Sequence, residues 1–80
     1  FDKAIELNPR YVDAYANRGE AYLLKGDDDR AIADYNKVIE LKPKYAYAYG
    51  NRGNAYAKKG ENDRAIEDYA GALKIPTNYA

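Results

Sequence analysis

Hydrophobic and small residues recur along the chain at the spacing of amphipathic helices. They follow one another at steps of 1, 3 or 4 residues, which places them on one side of a helix and the charged residues on the other. We predict helices at about residues 11–25, 28–41, 45–59 and 62–75. The inward side chains are expected to be Val12, Tyr15, Gly19, Tyr22, Leu23, Ala31, Ile32, Tyr35, Val38, Ile39, Ala65, Ile66, Tyr69, Ala72 and Leu73.

A fifth, shorter helical stretch is predicted at residues 1–7, and Pro9 stops it. Gly26 is expected to end the next helix in a left-handed conformation, and Gly60 has the same place one helix pair later. Acidic residues 27–29 then offer an N-cap and a first turn that suits the helix dipole. The chain is therefore divided into short helices joined by tight turns, for a total of about five helices.

The whole pattern repeats after 34 residues. A fixed period of this size indicates stacked copies of one supersecondary unit. An all-α solenoid is therefore the predicted fold class. The residues that return in register include Asn17 and Asn51, Arg18 and Arg52, Gly19 and Gly53, Tyr22 and Tyr56, Gly26 and Gly60, and Asp34 and Asp68.

A glycine inside each first helix predicts a close helix crossing. Glycine costs about 1 kcal/mol relative to alanine in a helix interior, so Gly19 and Gly53 need a compensating reason. Since glycine has no Cβ, we expect these positions to press against Ala31 and Ala65 of the partner helices.

These positions together resemble the tetratricopeptide repeat signature, which covers the whole chain. The positions that carry the resemblance are Tyr15, Gly19, Tyr22, Ala31, Tyr35, Val38 and Pro43, then Tyr49, Gly53, Tyr56, Ala65, Tyr69 and Ala72. Tyrosine stands at 15 and 49 where the family usually has tryptophan, and Thr77 stands where it has proline. The resemblance implies a right-handed stack of antiparallel helix pairs in one domain, residues 1–80. Residues 1–11 would end a preceding repeat, followed by repeats at 12–45 and 46–79.

The resemblance also implies a binding groove, because first helices in this family line a concave surface that takes a peptide or an extended partner segment. Helical geometry places the same positions on the face opposite the Tyr15, Gly19 and Tyr22 stripe. The protein is thus expected to be a protein-interaction scaffold. The predicted groove residues are Asp13, Asn17, Glu20 and Leu24 from one helix, and Tyr47, Gly50, Asn51, Asn54 and Lys58 from the other.

Charge and composition narrow the function. Thirteen basic and thirteen acidic residues cancel, so no net field recruits nucleic acid or a membrane. An RNA-binding helical repeat is the alternative, but it needs a basic groove, whereas Asp13 and Glu20 oppose Lys58 here. The chain has no cysteine, histidine or serine and no constellation of catalytic groups. We therefore expect no enzyme activity, cofactor or metal. The lack of cysteine and of signal or membrane segments in these 80 residues favours a cytoplasmic location.

Two further expectations concern charges and ends. Arg18 and Arg52 are interpreted as structural, each reaching an acid on a neighbouring helix, and Arg30 is expected to pair with Asp34 along one helix.

Repeats bury their apolar faces against their neighbours. Faces at the two ends are therefore expected to be partly bare, and to favour head-to-tail self-association or a structural, self-assembling role. These faces carry Tyr69, Ala72 and Leu73 at one end and Phe1, Ala4 and Ile5 at the other.

Overall fold

The computed structural model of the protein describes residues 9–75, whose regular structure is entirely helical. Four helices follow one another within this range and form two antiparallel pairs. Each helix packs on the next, so the second pair stacks on the first as in a solenoid. The predicted helix at residues 1–7 lies outside the described residues. The helices are α1 (Pro9–Lys25), α2 (Asp28–Leu41), α3 (Ala46–Lys58) and α4 (Asn62–Lys74).

The helix boundaries agree with the predicted ones to within one or two residues. The largest difference is at the start of α1, which begins at Pro9 and not at Tyr11. Proline suits the first turn of a helix, because its φ is already helical and its missing N–H would have no intrahelical partner there. Pro43, one period later, lies in the turn between α2 and α3.

Gly26 and Gly60 end the first helix of each pair as predicted, with φ values of 90° and 85°. In the first of these turns Asp27 N–H donates to the Tyr22 carbonyl at 2.9 Å, and Glu61 N–H donates to the Tyr56 carbonyl at the same distance in the second. The Asp27 carboxylate then caps α2 by accepting from the Arg30 backbone N–H at 3.4 Å. The start of α4 differs, since its N-cap is Glu61, without a side-chain cap bond.

The core lies between α1, α2 and α3. Tyr35 and Val38 of α2 are fully buried and form its centre. The predicted inward stripe of α2 is confirmed, because four of its five residues are buried and Ile39 is half-buried against them. The other buried residues of this cluster are Val12, Ala16, Ala31, Ile32, Ala48 and Ala55.

The predicted inward stripe of α4 is only partly correct. Ala65 is buried, but Ile66 and Leu73 are 63% and 87% exposed, so the expectation that both face inward was wrong. On α2 the equivalent face is covered by α3. No described residue covers this face of α4, so its apolar side chains stay exposed. The expectation of a partly bare face at this end is met by Leu73 and by Tyr69, which is 38% exposed. Phe1, Ala4 and Ile5 lie outside the described residues.

Both helix-interior glycines lie at close crossings, although the main partner differs from the predicted alanine. A Cβ at Gly19 would be 3.1 Å from Cζ of Tyr35, and one at Gly53 would be 2.9 Å from Cε1 of Tyr69. Ala65 contributes through its backbone oxygen, 3.2 Å from a Cβ at Gly53. The tyrosine four residues after each alanine occupies the space that the glycine leaves.

Candidate binding groove

The first helices of the two pairs, α1 and α3, lie side by side, and the predicted groove residues follow their shared surface. All four positions on α1 are exposed, and on α3 Tyr47, Asn54 and Lys58 are exposed while Gly50 and Asn51 are half-buried. The structure joins some of these residues in direct contacts and leaves Asp13, Asn17 and Leu24 as an open strip along α1, with Leu24 83% exposed.

Glu20 and Tyr47 make a side-chain bridge between the two helices. The Tyr47 hydroxyl donates to Oε2 of Glu20 at 3.1 Å, and its ring lies 6.0 Å from that of Tyr45 at an angle of 57°. Tyr47 nevertheless remains 47% exposed. The bridge is therefore a single hydrogen bond at the surface, which competing groups can replace at small cost.

The fully buried Tyr35 approaches the same place from α2. Its hydroxyl meets no hydrogen-bond partner, while Asn51, Tyr47 and Glu20 are among the groups that act on it electrostatically. Burial raises the pKa of Tyr35 to about 12; the neighbouring Asn51 amide opposes this shift without reaching hydrogen-bond geometry. A buried donor without a partner is unusual in a folded protein and often marks a functional place.

Tyr69, the equivalent of Tyr35 in the second repeat, has a hydrogen-bond partner. The Tyr69 hydroxyl donates to Oδ1 of Asn54, which holds α4 against α3. Asn54 occupies the position that Glu20 has in the first pair. The same tyrosine is therefore satisfied in one repeat and unsatisfied in the other, where Glu20 stands in place of the asparagine and accepts from Tyr47.

The lysines at the end of α3 connect the two helix pairs, a role that sequence spacing did not indicate. Lys58 donates to the Leu23 carbonyl at 2.8 Å and lies 3.7 Å from Asp28. Lys59 lies 2.5 Å from Asp29 and 3.2 Å from Glu61, and its hydrogen bonds to these acids, chiefly Asp29, raise its pKa. The one predicted groove cation, Lys58, is thus already engaged by the first repeat.

Each repeat contains one arginine–aspartate pair in which the aspartate is buried. Arg18 binds Asp34 through Nε and Nη2 at 2.8 and 2.7 Å, and Arg52 binds Asp68 through the same atoms at 2.8 and 2.6 Å. Asp34 and Asp68 are only 4% and 5% exposed. These hydrogen bonds raise the pKa of both guanidinium groups. The structural interpretation of the two arginines is confirmed.

The expected pair between Arg30 and Asp34 is not formed, because Arg18 occupies both carboxylate oxygens. Arg30 instead lies 3.4 Å from Asp27 and 5.8 Å from the ring centre of Tyr22. The buried aspartates were missed in the sequence. Their signal was the recurrence of an arginine and an aspartate sixteen residues apart in both copies.

Tyrosine rings flank each of the paired arginines. Arg18 lies 5.7 and 5.9 Å from the ring centres of Tyr15 and Tyr22, and Arg52 lies 5.5 and 5.9 Å from those of Tyr49 and Tyr56. Such contacts are worth about 0.5–1 kcal/mol each at partly exposed sites. All of them lie within one helix, so they fix the arginine side chain over the tyrosine rings of its own helix.

Neither a metal centre nor a membrane-crossing helix is found in the described range. Residues 9–75 contain no group of three or more acidic, histidine or cysteine side chains placed to hold a metal ion. No helix among them has the length and apolarity that crossing a membrane requires. The groove is the candidate site that these residues present.

Stacked helix pairs that share one open surface define a helical-repeat protein of the interaction-scaffold class. Three family models match the chain: one described as TPR repeat at residues 19–60, and two described as Tetratricopeptide repeat at residues 1–33 and 46–79. The chain belongs to the tetratricopeptide repeat family.

Solved structures of MamA are similar to this chain. Two crystal structures of MamA each align with a TM-score of 0.79 and 40% sequence identity over 92% of this chain. The chain spans 40% and 43% of the length of these two MamA chains. No curated protein matches it.

Proposed function

We propose that the protein binds an extended segment of a partner protein along the groove formed by α1 and α3. Tetratricopeptide repeats generally mediate protein–protein interactions and typically form non-enzymatic scaffolds. The observation that carries the proposal is the open polar strip on α1 beside the amides of α3. Asn17 and Asn54 are exposed and Asn51 is half-buried. An amide side chain offers both a donor and an acceptor, which suits the backbone of an extended peptide.

The charges of the groove favour a protein ligand over RNA. Asp13 and Glu20 are exposed acids on α1, while Lys58 is bonded to the first repeat. Binding to a nucleic acid backbone depends on free cations that neutralise phosphates. The exposed charges of this surface are acidic instead, so the RNA-binding alternative has no support from the groove.

The test is a selection of binding peptides followed by a comparison of variants. Random twelve-residue peptides displayed on phage are selected against the protein, and the affinity of a selected peptide is measured by fluorescence polarisation. Asn17→Ala combined with Asn51→Ala should weaken binding by about tenfold, since each lost amide contact is worth about 0.5–1.5 kcal/mol. The helical circular dichroism signal should remain unchanged.

A matched control is Glu40→Ala combined with Glu67→Ala, which changes exposed residues of the second helices α2 and α4. This variant should bind the peptide as the parent does. If the asparagine variant bound every selected peptide with the parent affinity, the groove assignment would be wrong.

A second candidate function, head-to-tail self-association, is supported by the uncovered side of α4. Ile66, Tyr69 and Leu73 are 63%, 38% and 87% exposed, whereas Ile32 and Tyr35, the equivalents of the first two on α2, are 9% and 0% exposed beneath α3. On α1, Tyr11, Ala14, Tyr15 and Arg18 correspond to Tyr45, Ala48, Tyr49 and Arg52 of α3, where Arg52 donates to Asn36 of α2. We therefore propose that α4 of one copy packs on α1 of the next, an arrangement that extends without closing.

Sedimentation at increasing protein concentration tests this second candidate. The mean mass should rise with concentration, and Leu73→Lys should prevent the rise while Glu67→Lys, on another side of α4, should not. A constant monomer mass across the concentration range would contradict it.

A further inference from the structure

The groove contains one place where four side chains from three helices meet, which we call the Glu20 notch: Glu20, Tyr35, Tyr47 and Asn51. Tyr35 has no exposed surface and its hydroxyl has no hydrogen-bond partner. The Cζ atom of Tyr35, which carries this hydroxyl, would lie only 3.1 Å from a Cβ at Gly19, so the tip of the ring lies against α1 beside Glu20. The notch therefore contains a buried polar group whose hydrogen-bonding capacity is unused in the described structure.

The notch is specific to the first repeat. In the second repeat the equivalent hydroxyl, that of Tyr69, is satisfied by Asn54. Glu20 replaces that amide with a carboxylate, which accepts only the Tyr47 hydroxyl at 3.1 Å. Among residues 11–75, no lysine or arginine makes a salt bridge with Glu20. A carboxylate can accept several hydrogen bonds, so Glu20 retains capacity for a cation.

We propose that the Glu20 notch receives a lysine or arginine side chain of the bound segment, an inference that rests on the groove function proposed above. Glu20 supplies the opposite charge, and Oδ1 of Asn51 and the Tyr35 hydroxyl supply neutral acceptors. The ring of Tyr47 supplies a face for a cation–π contact. Tyr47 is 47% exposed and held by one hydrogen bond, so it moves aside to admit the ligand.

The charges around the notch select against an acidic ligand. Asp13 lies on the same face of α1, two helical turns from Glu20, and adds a second negative charge. The nearest groove lysine on α3, Lys58, donates to the Leu23 carbonyl and lies beside Asp28. A carboxylate in the notch would meet Glu20 without a free cation, which is unfavourable. The groove is thus specific for a basic segment.

The probe is a pair of ten-residue peptides with acetylated and amidated ends, identical except at one central position. One peptide has arginine there and the other has citrulline, which keeps the shape of arginine but is neutral and has a carbonyl oxygen in place of one NH₂ donor group. Each peptide is titrated to millimolar concentration into the ¹⁵N-labelled protein, and amide chemical shifts report both the affinity and the binding face.

The arginine peptide should shift resonances of α1 and α3 and bind about two- to fivefold more tightly than the citrulline peptide, the range of a partly exposed charge pair. Glu20→Gln, which preserves helix propensity and shape, should abolish this difference. Glu67→Gln, the matched loss of an exposed carboxylate on α4, should leave it intact.

The outcomes separate this inference from the function on which it rests. Equal affinity of the two peptides for the groove, or an unchanged preference in Glu20→Gln, would overturn the cation notch and leave the groove function standing. If neither these peptides nor any phage-selected peptide shifted the resonances of α1 and α3, both proposals would fail.

Discussion

The two arginine–aspartate pairs have the same geometry but different surroundings. The Arg52 side chain is 20% exposed, and its Nη1 also donates to Asn36 of the first repeat at 2.8 Å. The Arg18 side chain is 59% exposed. Both pairs hold the helices of one repeat together, but among residues 11–75 only Arg52 also bonds to the other repeat. We therefore expect the same sequence motif to contribute differently to stability at the two places in the stack.

The two core tyrosines differ in a complementary way. Tyr35 is buried beneath α3 and its hydroxyl is unsatisfied, whereas Tyr69 is partly exposed and bonded to Asn54. The first repeat gives up a hydrogen bond at the position where the groove residues converge. The second repeat uses the same position for its own stability. We expect variants at the two sites to respond with opposite signs.

The largest expected effect comes from removing the arginine of each pair. Arg52→Met should lower the free energy of unfolding by about 2–4 kcal/mol, because it leaves the buried Asp68 carboxylate without its cation. Arg18→Met should cost clearly less, since water already reaches the more exposed Arg18 and this variant loses no bond to Asn36. Urea denaturation followed by circular dichroism measures both.

The control is Asn36→Ala, which removes only the additional bond between repeats. Asn36→Ala should lower the free energy of unfolding by about 1 kcal/mol. In a protein that already carries Asn36→Ala, Arg52→Met should cost about as much as Arg18→Met does in the parent. An equal or larger loss for Arg18→Met in the parent protein would show that the exposure of the arginine does not determine the strength of the pair.

Overpacking at the crossing of α3 and α4 should have the next largest effect. Gly53→Leu forces a side chain against the Tyr69 ring, 2.9 Å from where its Cβ would stand, and against the Ala65 carbonyl oxygen. The expected loss is about 1–3 kcal/mol despite the better helix propensity of leucine. Lys58→Leu in the same helix should cost less, since Lys58 is exposed and the variant loses only one surface hydrogen bond and a long ion pair with Asp28. Comparable melting temperatures would show that the glycine is not a packing residue.

Much of this architecture could be predicted because it depends on local rules. The period of 34 residues, the apolar stripes and the turns at Gly26 and Gly60 follow from helical spacing and backbone sterics. The pairing of Arg18 with Asp34 could not be derived from one helix alone. It depends on how two helices are rotated about each other, so the neighbouring Arg30 was the more obvious partner in the sequence.

The sequence predicts the proposed groove as a set of positions but not the contacts among them. The Glu20 hydrogen bond to Tyr47 and the Lys58 bond to the Leu23 carbonyl join residues 27 and 35 positions apart, across two repeats. Their formation depends on the stacking angle of the repeats. The exposure of Ile66 and Leu73 was mispredicted for a similar reason, because a helical stripe shows which side is apolar and not whether a neighbour covers it.

The smallest expected effects on stability separate the two tyrosines. At neutral pH, Tyr35→Phe should leave the free energy of unfolding unchanged or raise it by up to about 1 kcal/mol, since it removes a buried hydroxyl without a partner. Tyr69→Phe should lower it by about 0.5 kcal/mol through loss of the bond to Asn54. Thermal melts of the two variants beside the parent measure the difference. The same sign for both would contradict the contrast between the repeats.

Alkaline pH sharpens this contrast. The pKa of Tyr35 is raised to about 12 in the folded protein, above the value of about 10 expected for the unfolded chain. Its contribution to stability is therefore complete below pH 10 and is lost as the pH rises to 12, by about 2–3 kcal/mol at most. Tyr35→Phe should lose less stability over this interval than the parent does. Equal losses in the two proteins would show that Tyr35 does not titrate in a buried site.

The central claim is that α1 and α3 form the face that binds a partner segment. The most direct measurement is the ¹⁵N amide chemical-shift map of the protein with a phage-selected peptide. We predict that the largest shifts follow Asn17, Glu20, Tyr47 and Asn51, and that the exposed positions of α2 and α4 change little. Shifts concentrated on α2 and α4, with α1 and α3 unaffected, would contradict the claim.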